Sequence, residues 1–499
     1  MSSMLGVLRS QIPHVPHRFL SSRPVRVVRV SHVLPYRATN TSTAVLKLSF
    51  FDLLYVTMAP VQNVLFYKGP SLPPFPSIVN SLQSSLATTL AAFPPLSGKL
   101  MTQDDGPSSR EVVIDCSPGA VSPGVKFVEA EYRGGAVDGM RRLAGDEEHD
   151  AEVFALLVPE VGPAGQLPAP VLAVQVTRPA AGDGTVAVGV SMHHSACDGR
   201  SFWRFMSAWA TAAREPGHHL VQPIFDREQV IRDPRVQQLT RKSKQRFATN
   251  APVDAFRFPP ADMARQRRRT FWLGAGEIQS LKQRLCRQGS GIIVEPLSTF
   301  VAVSSLVWTS IVRAKSTMDH ADDDCYFLLS ADIRRRLRPP VDENYFGNCV
   351  MGCLARATVA DLSRDGDDGL VCAASAIQRA IREDLEDPMA NLEHRLALRH
   401  GLPADRVTVM GSSNQFRPFE TDFGWGAPSR VEMVSMTVME EVVLRGAPDG
   451  GVQVSVALGR THMEAMTSNF RQDGVHIRQG ELSACKGLLK TLHGVIVWG

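Results

Sequence analysis

The segment that most constrains the fold of this chain is an apolar run that leads through a short histidine-bearing loop into a helical pattern. Residues 185–192 form the apolar run, residues 193–199 read HHSACDG, and the helical pattern covers 201–214. An earlier apolar run at 171–176 is separated from it by the turn-forming residues 181–184, which predicts a β-hairpin. A strand pair followed by a helix favours a fold in which helices pack on a sheet.

The same mixture of strand and helix patterns continues along the chain. Apolar and β-branched runs predict further strands at 25–33, 45–51, 96–100, 270–273 and 325–331. Helical periodicity predicts helices at 77–92, 276–286, 297–313 and 370–385. A polar, basic stretch at 226–249 predicts a crossover between domains. The sequence therefore predicts an α/β protein of two similar halves.

The charge distribution argues against a nucleic-acid partner. The chain has 499 residues, enough for two or three domains, and a formal charge of +4. No acidic residue precedes Asp52, whereas seven basic residues do, and the remainder has 47 basic and 50 acidic residues. The body of the chain is thus slightly acidic and lacks the basic footprint of a nucleic-acid-binding protein.

The first 22 residues form an atypical N-terminal extension. An acid-free segment with Arg and Ser is compatible with a plastid or mitochondrial transit peptide. Prolines at 13, 16 and 24 interrupt any long amphipathic helix, which favours a plain extension and a cytoplasmic protein. The eight cysteines include no CxxC pair and indicate reduced thiols. The longest apolar run, 296–312, is too short and too polar to span a bilayer, so we expect no membrane association.

Several common catalytic and cofactor motifs are missing from the sequence. The Gly-x-Gly pairs at 182–184, 274–276, 289–291 and 424–426 lack the third glycine of a dinucleotide fingerprint. The sequence contains no Walker A loop, no GxSxG elbow and no HExxH helix. Cys349 and Cys353 have no accompanying pair at zinc-site spacing, so we expect no metal. These absences argue against NAD enzymes, NTPases, serine hydrolases and zinc peptidases.

The loop after the second hairpin strand contains an HxxxD pattern formed by His194 and Asp198. A neutral imidazole accepts a proton near neutral pH, so a histidine at a strand end suits general-base catalysis. Asp198 would orient the ring or brace the loop. The pattern alone is weak, because a histidine at a hairpin exit can also be purely structural.

A second motif, DFGWG at 422–426, lies more than two hundred residues downstream. With HxxxD and DFGWG in this order, the sequence resembles the plant BAHD family of acyl-CoA-dependent acyltransferases over about 25–470. The segment YFGNC at 345–349 is similar to the branch that acylates anthocyanins, flavonoids and other phenolic glucosides. Supporting similarities lie at 48–52, 93–100 and 298–308.

The resemblance implies a fold of two similar chloramphenicol-acetyltransferase-like domains. Each would be a mixed sheet with flanking helices, with the active site at the domain interface. We place the N-terminal domain, with HxxxD, at 23–235 and the C-terminal domain, with YFGNC and DFGWG, at 236–470. The segment 471–499 is an atypical C-terminal tail.

The resemblance also assigns roles at the catalytic centre. His194, rather than His193, would be the general base, without an acyl-enzyme intermediate. Asp198 would point away from the reaction and pair with Arg334. Asp422, Gly424, Trp425 and Gly426 would shape the channel wall, and the Trp425 indole N–H is a candidate oxyanion donor.

Substrate-binding residues are assigned on the same resemblance. Lys282, Ser412 and Ser413 lie in segments that bind CoA in relatives, although Asn414 stands where the family usually has proline. Tyr345 and Asn348 are assigned to the acceptor side. Phe202 occupies the position, eight residues after the histidine, where members that prefer malonyl-CoA often have arginine.

These assignments predict an O-acyltransferase that uses acyl-CoA as co-substrate and needs no cofactor. Because Phe202 is aromatic, we rank a hydroxycinnamoyl group ahead of malonyl. The acceptor would be a hydroxyl of a glycosylated flavonoid, anthocyanin or other phenolic, and the enzyme a monomer. Two alternatives stay open: N-acylation of agmatine or a polyamine, and an inactive, ligand-binding relative.

Overall fold

The computed structural model describes residues 24–474 except for 37–44, 105–109, 136–137, 163–164, 183, 249–264, 316–320, 437 and 439. The predicted extension at 1–22 and residues 475–499 of the predicted tail lie outside the described residues.

Strands and helices alternate through the first half of the described chain. In order they are β1 (Val25–Val33), β2 (Val45–Lys47), α1 (Phe50–Leu53), β3 (Val61–Lys68), α2 (Phe75–Ala92), β4 (Lys99–Asp104), β5 (Arg110–Asp115), α3 (Pro118–Val121), β6 (Val125–Tyr132), α4 (Gly139–Leu143), α5 (Ala151–Leu156), β7 (Ala169–Pro170), β8 (Leu172–Pro179), β9 (Thr185–Met192) and α6 (Gly199–Arg214).

The second half continues the alternation. Its elements are α7 (Glu228–Ile231), α8 (Pro234–Ala248), β10 (Gln266–Leu273), α9 (Ala275–Gln288), α10 (Thr299–Lys315), β11 (Asp324–Asp332), β12 (Val350–Thr358), α11 (Val359–Leu362), α12 (Asp368–Glu386), α13 (Leu392–His400), β13 (Val407–Met410), β14 (Arg430–Met433), β15 (Glu441–Gly446), β16 (Val452–Gly459) and α14 (Met463–Gly474).

The first half is built on a six-stranded sheet in the order β1-β6-β8-β9-β3-β14. The predicted hairpin is present as the antiparallel pair β8 and β9, and only β6 and β8 in this sheet run parallel. Helices α2 and α6 pack together, and the α2 stripe Ile78, Leu82, Leu86 and Leu90 is buried beside Trp209 of α6. The Trp209 indole donates to Leu82 O at 3.2 Å, which fixes α6 and the loop before it.

A second six-stranded sheet, in the order β10-β16-β15-β13-β11-β12, forms the second half. Strand β13 runs parallel to β11 and β15, whereas the other pairs are antiparallel. The apolar helix α10 is buried against this half through Leu306, Val307, Trp308 and Ile311. The mixed sheets and flanking helices confirm the predicted α/β class.

The predicted domain boundary at 235/236 is not a clean division. It falls inside helix α8, which begins at Pro234. Strand β14 belongs by sequence to the second half, but it pairs with β3 at the edge of the first sheet, with Val431 opposite Leu65. Sequence periodicity does not report which sheet edge a short strand joins, so this exchange was not predicted.

Two other predicted bounds differ from the structure. The run at 45–51 splits into β2 and α1, because Asp52 closes a capping box by accepting from Ser49 N at 2.9 Å. At the other end, α14 continues past the predicted domain end at 470, and Arg284 donates to Asp473 O at 2.7 Å. Residues 471–474 therefore belong to the folded body.

Within the described ranges, none of the helices combines the length and apolar character required to cross a lipid bilayer.

Candidate active site

The HxxxD loop follows β9 directly. His194–Ala196 forms a single 3₁₀ turn, and Asp198 then caps α6 by accepting from Ser201 N at 3.0 Å. Gly199 is closely packed, because a Cβ at this position would lie 2.8 Å from the Phe416 ring and would force that ring to shift. The loop is therefore held at a fixed position between a strand end and a helix N-terminus.

Asp198 is buried, and its carboxylate is held by groups of the second half of the chain. Its Oδ2 lies 2.8 Å from Arg334 Nη1 and accepts from Cys349 N at 3.1 Å. Burial alone would raise the pKa of Asp198, but the Arg334 guanidinium and the backbone donors hold it below its usual value. Both groups are charged, so the pair joins the HxxxD loop of the first half to the second half.

A second buried ion pair supports the same loop from another direction. Asp52 Oδ2 accepts from Arg227 Nε at 3.0 Å, and Arg227 Nη2 donates to Ala196 O at 2.9 Å. Asn348 Nδ2 donates both to Asp52 Oδ1 at 2.9 Å and to His194 O at 2.8 Å. Asn348 thus braces the histidine backbone.

Tyr345 lies between the two ion pairs. Its ring centroid is 5.5 Å from the guanidinium carbon of Arg227 and 5.5 Å from that of Arg334. Tyr345 and Asn348 are both buried, and neither is among the residues that line the cavities beside His194. The structure therefore places these YFGNC residues in the support of the loop, not in the acceptor pocket assigned from the sequence.

The His194 ring is stacked on Tyr55, with ring centroids 3.7 Å apart and planes at 6°. Burial lowers the pKa of His194, so the imidazole is neutral at neutral pH. Its Nδ1 is buried without a hydrogen-bond partner in the described part of the chain. The ring is fixed in place by stacking and keeps the capacity to accept a proton.

The neighbouring His193 differs from His194. Its Nδ1 accepts from Ser195 N at 3.2 Å, and burial lowers its pKa to about 4. Cys197 is also buried, its Sγ contacts Met192 Sδ at 3.1 Å, and burial raises the pKa of its thiol well above the usual value. His193 is thus a turn residue, and Cys197 stays a protonated thiol.

Two cavities adjoin His194. The small cavity has a volume of about 60 Å³, and its lining includes Asn63, His194, Phe202, Trp203 and Met433. The large cavity has a volume of about 720 Å³, and its lining includes Tyr55, His194, Thr299, Ser330 and residues 410–416. The histidine therefore stands where the two cavities and the two halves of the chain meet.

A surface groove adjoins both cavities. This arginine groove is lined by Arg200, Arg204 and Arg417, and it shares Trp203 with the small cavity and Phe416 with both cavities. Like charge from Arg200, added to burial, lowers the pKa of Arg204. The lining also holds Glu343 and Glu420, and Glu420 pairs with Arg417 at 3.1 Å, so the three arginines exceed the carboxylates of the groove by one charge.

The DFGWG loop is a rigid turn that packs against the first half. Asp422 Oδ1 accepts from the backbone N–H groups of Gly424, Trp425 and Gly426 at 2.7, 3.0 and 2.9 Å. Gly424 and Gly426 have φ values of +97° and +95°, which favour glycine. Trp425 packs edge-on against Tyr67 in the core.

These DFGWG residues do not line either cavity beside His194. The structure therefore corrects the assignment of Trp425 as an oxyanion donor. The Trp425 ring packs against Tyr67 of β3 and against Phe423, and Phe423 in turn contacts Trp209 of α6.

The three residues assigned to CoA separate into two groups. Ser412 lines both cavities and Ser413 lines the large one, as does Asn414. Lys282 lies on α9 and is absent from the lining of the cavities and of the arginine groove. Among the described residues, His, Cys, Asp and Glu side chains form no group suited to a metal ion.

Sequence reasoning did not identify Tyr55, Asn63, Arg227 or Arg445 as site residues. Asp52 belongs to the segment 48–52 that resembles the family. A buried carboxylate needs a basic partner, so this residue was the signal that could have led to Arg227. Tyr55, Asn63 and Arg445 belong to no motif, and only the fold brings Tyr55 and Asn63 to His194 or its cavities and Arg445 into contact with Asn63.

Comparison with known proteins agrees with this geometry. A family model described as "Transferase family" matches residues 24–473. Phenolic glucoside malonyltransferase 1 of Bemisia tabaci is 30% identical over 476 residues, covering 91% of this chain and 97% of that protein. The malonyl-coenzyme:anthocyanin 5-O-glucoside-6'''-O-malonyltransferase of Salvia splendens is 28% identical, covering 89% of this chain and 94% of that protein.

A hydroxycinnamoyl-transferring relative is also similar. Coumaroyl-CoA:anthocyanidin 3-O-glucoside-6''-O-coumaroyltransferase 2 of Arabidopsis thaliana is 26% identical, covering 89% of this chain and 97% of that protein. The crystal structure of vinorine synthase superposes with a TM-score of 0.68 at 19% identity, covering 88% of this chain and 96% of that one. The structural likeness shows the predicted two-domain, chloramphenicol-acetyltransferase-like fold. With the family model spanning nearly all described residues, the chain belongs to the Transferase family of BAHD acyltransferases.

Proposed function

We propose that the protein is an acyl-CoA-dependent O-acyltransferase whose acceptor is a hydroxyl of a glycosylated flavonoid, anthocyanin or other phenolic. The observation that carries the proposal is the neutral, stacked His194 ring where two cavities meet. Relatives at 26–30% identity are named as malonyl- or coumaroyltransferases of such glucosides.

His194 acts as general base in this proposal. The imidazole takes the proton of the acceptor hydroxyl as that oxygen attacks the thioester carbonyl of acyl-CoA. The tetrahedral intermediate collapses, the carbon–sulfur bond breaks, and the imidazolium returns the proton to the CoA thiolate. The products are an ester and free CoA, so no acyl-enzyme and no resident cofactor are needed.

The arginine groove is our candidate for the coenzyme phosphates. Arg200, Arg204 and Arg417 bring positive charge to the entrance of both cavities, and a local basic surface attracts a polyanion. Lys282 has no such position.

The lining of the large cavity favours a glycoside over an amine. The two carboxylates on that lining are paired, Asp198 with Arg334 at 2.8 Å and Asp332 with Arg200 at 3.1 Å. The other polar lining groups include the neutral hydroxyls and amides of Thr299, Ser330, Ser412, Ser413, Asn414 and Gln415. Neutral donors and acceptors suit sugar hydroxyls, whereas a cationic amine calls for an unpaired carboxylate.

Release of free CoA thiol tests the proposal. Purified protein is incubated with malonyl-, acetyl- or p-coumaroyl-CoA and with an anthocyanin glucoside, agmatine or no acceptor. We expect thiol release that depends on the glucoside and falls at least 100-fold in His194→Ala. His462→Ala, a half-buried histidine whose Nδ1 lies 3.2 Å from Ala314 O, is the matched control and should keep wild-type turnover.

The other outcomes decide between the alternatives. Release with agmatine but not with the glucoside would support N-acylation. An absence of turnover with every pair would support an inactive relative. Wild-type turnover in His194→Ala would contradict the mechanism.

A further inference from the structure

Arg445 is a buried arginine on β15 that forms no direct ion pair with a carboxylate of the described residues. Its Nη2 donates to Asn63 Oδ1 at 2.6 Å, while Nε and Nη1 are buried without hydrogen-bond partners in the described part of the chain. Its guanidinium carbon lies 5.1 Å from the centroid of the Trp203 ring. Among the described residues no carboxylate oxygen lies within 4 Å of the guanidinium, and Glu432 acts on it only at longer range.

Three other buried arginines near the site differ from Arg445 because each contacts a carboxylate directly. Arg334, Arg227 and Arg430 each have a carboxylate within 3.0 Å, from Asp198, Asp52 and Glu432. An unpaired buried cation is costly and is seldom kept without a partner. Burial lowers the pKa of Arg445 to about 10, which still leaves the side chain protonated at neutral pH.

Both residues that contact Arg445 line the small cavity beside His194. Because arginine has only donors, the 2.6 Å bond fixes Oδ1 of Asn63 toward Arg445. The contact of Oδ1 with Arg445 leaves Asn63 Nδ2 as one donor on a lining that also includes Ser412 and Trp203. The cation behind it polarises this amide and makes the cavity attractive to an anion.

The size of the small cavity limits what it can hold. Its volume is about 60 Å³, less than half that of an engineered protein cavity of about 150 Å³ that binds one benzene. A phenolic ring is therefore too large without rearrangement, and a group of a few atoms fits.

The strand register places Asn63 away from the reacting atoms. Asn63 pairs with Val190, four residues before His194, and a strand rises about 3.3 Å per residue. The amide is therefore on the order of 10 Å from the histidine along the sheet. A donor at this position reaches the far end of an acyl group and not the thioester oxygen.

We propose that Asn63 and Arg445 recognise the terminal carboxylate of a short, dicarboxylic acyl group such as malonyl. The inference rests on the proposed function and specifies its acyl donor. It places malonyl ahead of a hydroxycinnamoyl group, which reverses the ranking drawn from Phe202. The positive charge for the carboxylate comes from Arg445 on β15 and not from an arginine at the Phe202 position on α6.

Binding of the thioesters without acceptor tests this pair independently of turnover. Dissociation constants of malonyl-, acetyl- and p-coumaroyl-CoA are measured by titration calorimetry. We expect malonyl-CoA to bind the wild-type protein at least ten-fold more tightly than acetyl-CoA. Equal affinity, or tighter binding of p-coumaroyl-CoA, would overturn the proposal.

Two variants separate recognition from folding. Arg445→Met removes the charge at similar volume, and Asn63→Asp keeps the contact with Arg445 but neutralises the cation with a carboxylate. Each should reduce the malonyl-to-acetyl affinity ratio at least ten-fold. Arg268→Met, a buried arginine that donates to Val434 O and Met436 O away from the cavities, is the control and should keep the ratio.

If Arg445→Met does not fold, the malonyl-to-acetyl affinity ratio measured for Asn63→Asp decides the test. An unchanged ratio in folded Asn63→Asp would contradict the role of the pair. Selective malonyl-CoA binding without thiol release for any acceptor would support the pair while contradicting the proposed transferase activity.

Discussion

Arg334, from the second half of the chain, lies 2.8 Å from the carboxylate of Asp198 in the first half, and both side chains are 1% exposed. The same carboxylate caps α6 and accepts from Cys349 N. The buried Asp198 carboxylate therefore fixes where the catalytic loop ends and α6 begins, and it holds the two halves of the chain together. His194 owes its position to this arrangement.

Removal of one partner of this pair should destabilise the protein. We expect Asp198→Ala and Arg334→Met each to lower the free energy of unfolding by about 3–5 kcal/mol, because the remaining charge is buried without its partner. Urea denaturation followed by fluorescence measures the loss. In the double variant the loss should be clearly smaller than the sum of the single losses. Additive losses would indicate that the two side chains act independently.

Asn348 should affect rate more than substrate affinity. Asn348→Ala removes the donors to Asp52 and to His194 O, so the histidine backbone loses a brace. We expect kcat to fall roughly ten-fold while KM for the acceptor changes little, because Asn348 does not line the cavities. Steady-state kinetics check this. A large rise in KM with unchanged kcat would restore the acceptor-pocket role first assigned to Asn348.

The pH dependence of turnover should report a histidine that stays neutral in weak acid. Burial lowers the pKa of His194 from its usual value near 6.5, so the base is available until the pH falls through the lowered pKa. The acidic limb of kcat/KM should therefore lie below pH 6.5. A limb above pH 7 would contradict a buried neutral base.

Acid should destabilise the junction between the sheets through His149 and Glu432. Burial lowers the pKa of His149 to about 3. Burial would raise the pKa of Glu432, but His149 and Arg430 hold it at about 2. Each of these two side chains binds fewer protons in the folded protein than in the unfolded chain. Their contribution to the free energy of unfolding is therefore complete above their unfolded pKa values and is lost as the pH falls. Between about pH 6.5 and 3, His149 adds a slope of up to about 1.4 kcal/mol per pH unit, and Glu432 contributes below about pH 4.5.

Urea unfolding at a series of pH values measures that slope. His149→Gln should flatten it between pH 6.5 and 4.5, where Glu432 does not yet titrate. An unchanged slope in the variant would show that His149 is not the group responsible.

The arginine groove should make acyl-CoA binding dependent on salt. We expect KM for acyl-CoA to rise several-fold between 50 and 300 mM salt, because exposed charges are screened over about 10 Å or less. Arg417→Ala should raise this KM about two- to five-fold. Arg382→Ala is the matched control, because Arg382 is similarly exposed and also neighbours a glutamate, but lies on α12 away from the groove. An equal effect of both variants would argue against a coenzyme site in the groove.

The sequence predicted those parts of the site that are local in the chain. The strand, the histidine and the helix follow one another within 185–214, and their order could be identified from hydrophobic patterning alone. The partner of Asp198 was assigned through a family resemblance, and the buried 2.8 Å pair agrees with that assignment. The DFGWG motif was recognised, but its sequence did not reveal that Trp425 faces the core.

What only the tertiary structure decided depends on contacts between distant residues. Asn63 and Arg445 are separated by 382 positions, and neither belongs to a motif. Strand β14 lies in a sheet built from the other half, and no local pattern distinguishes that edge from another. Periodicity and motifs report the secondary structure and chemistry of short segments, because they reflect neighbouring residues. The net charge beside a cavity depends on which distant side chains are buried together, and here that places Arg445 behind Asn63 on the lining of the small cavity.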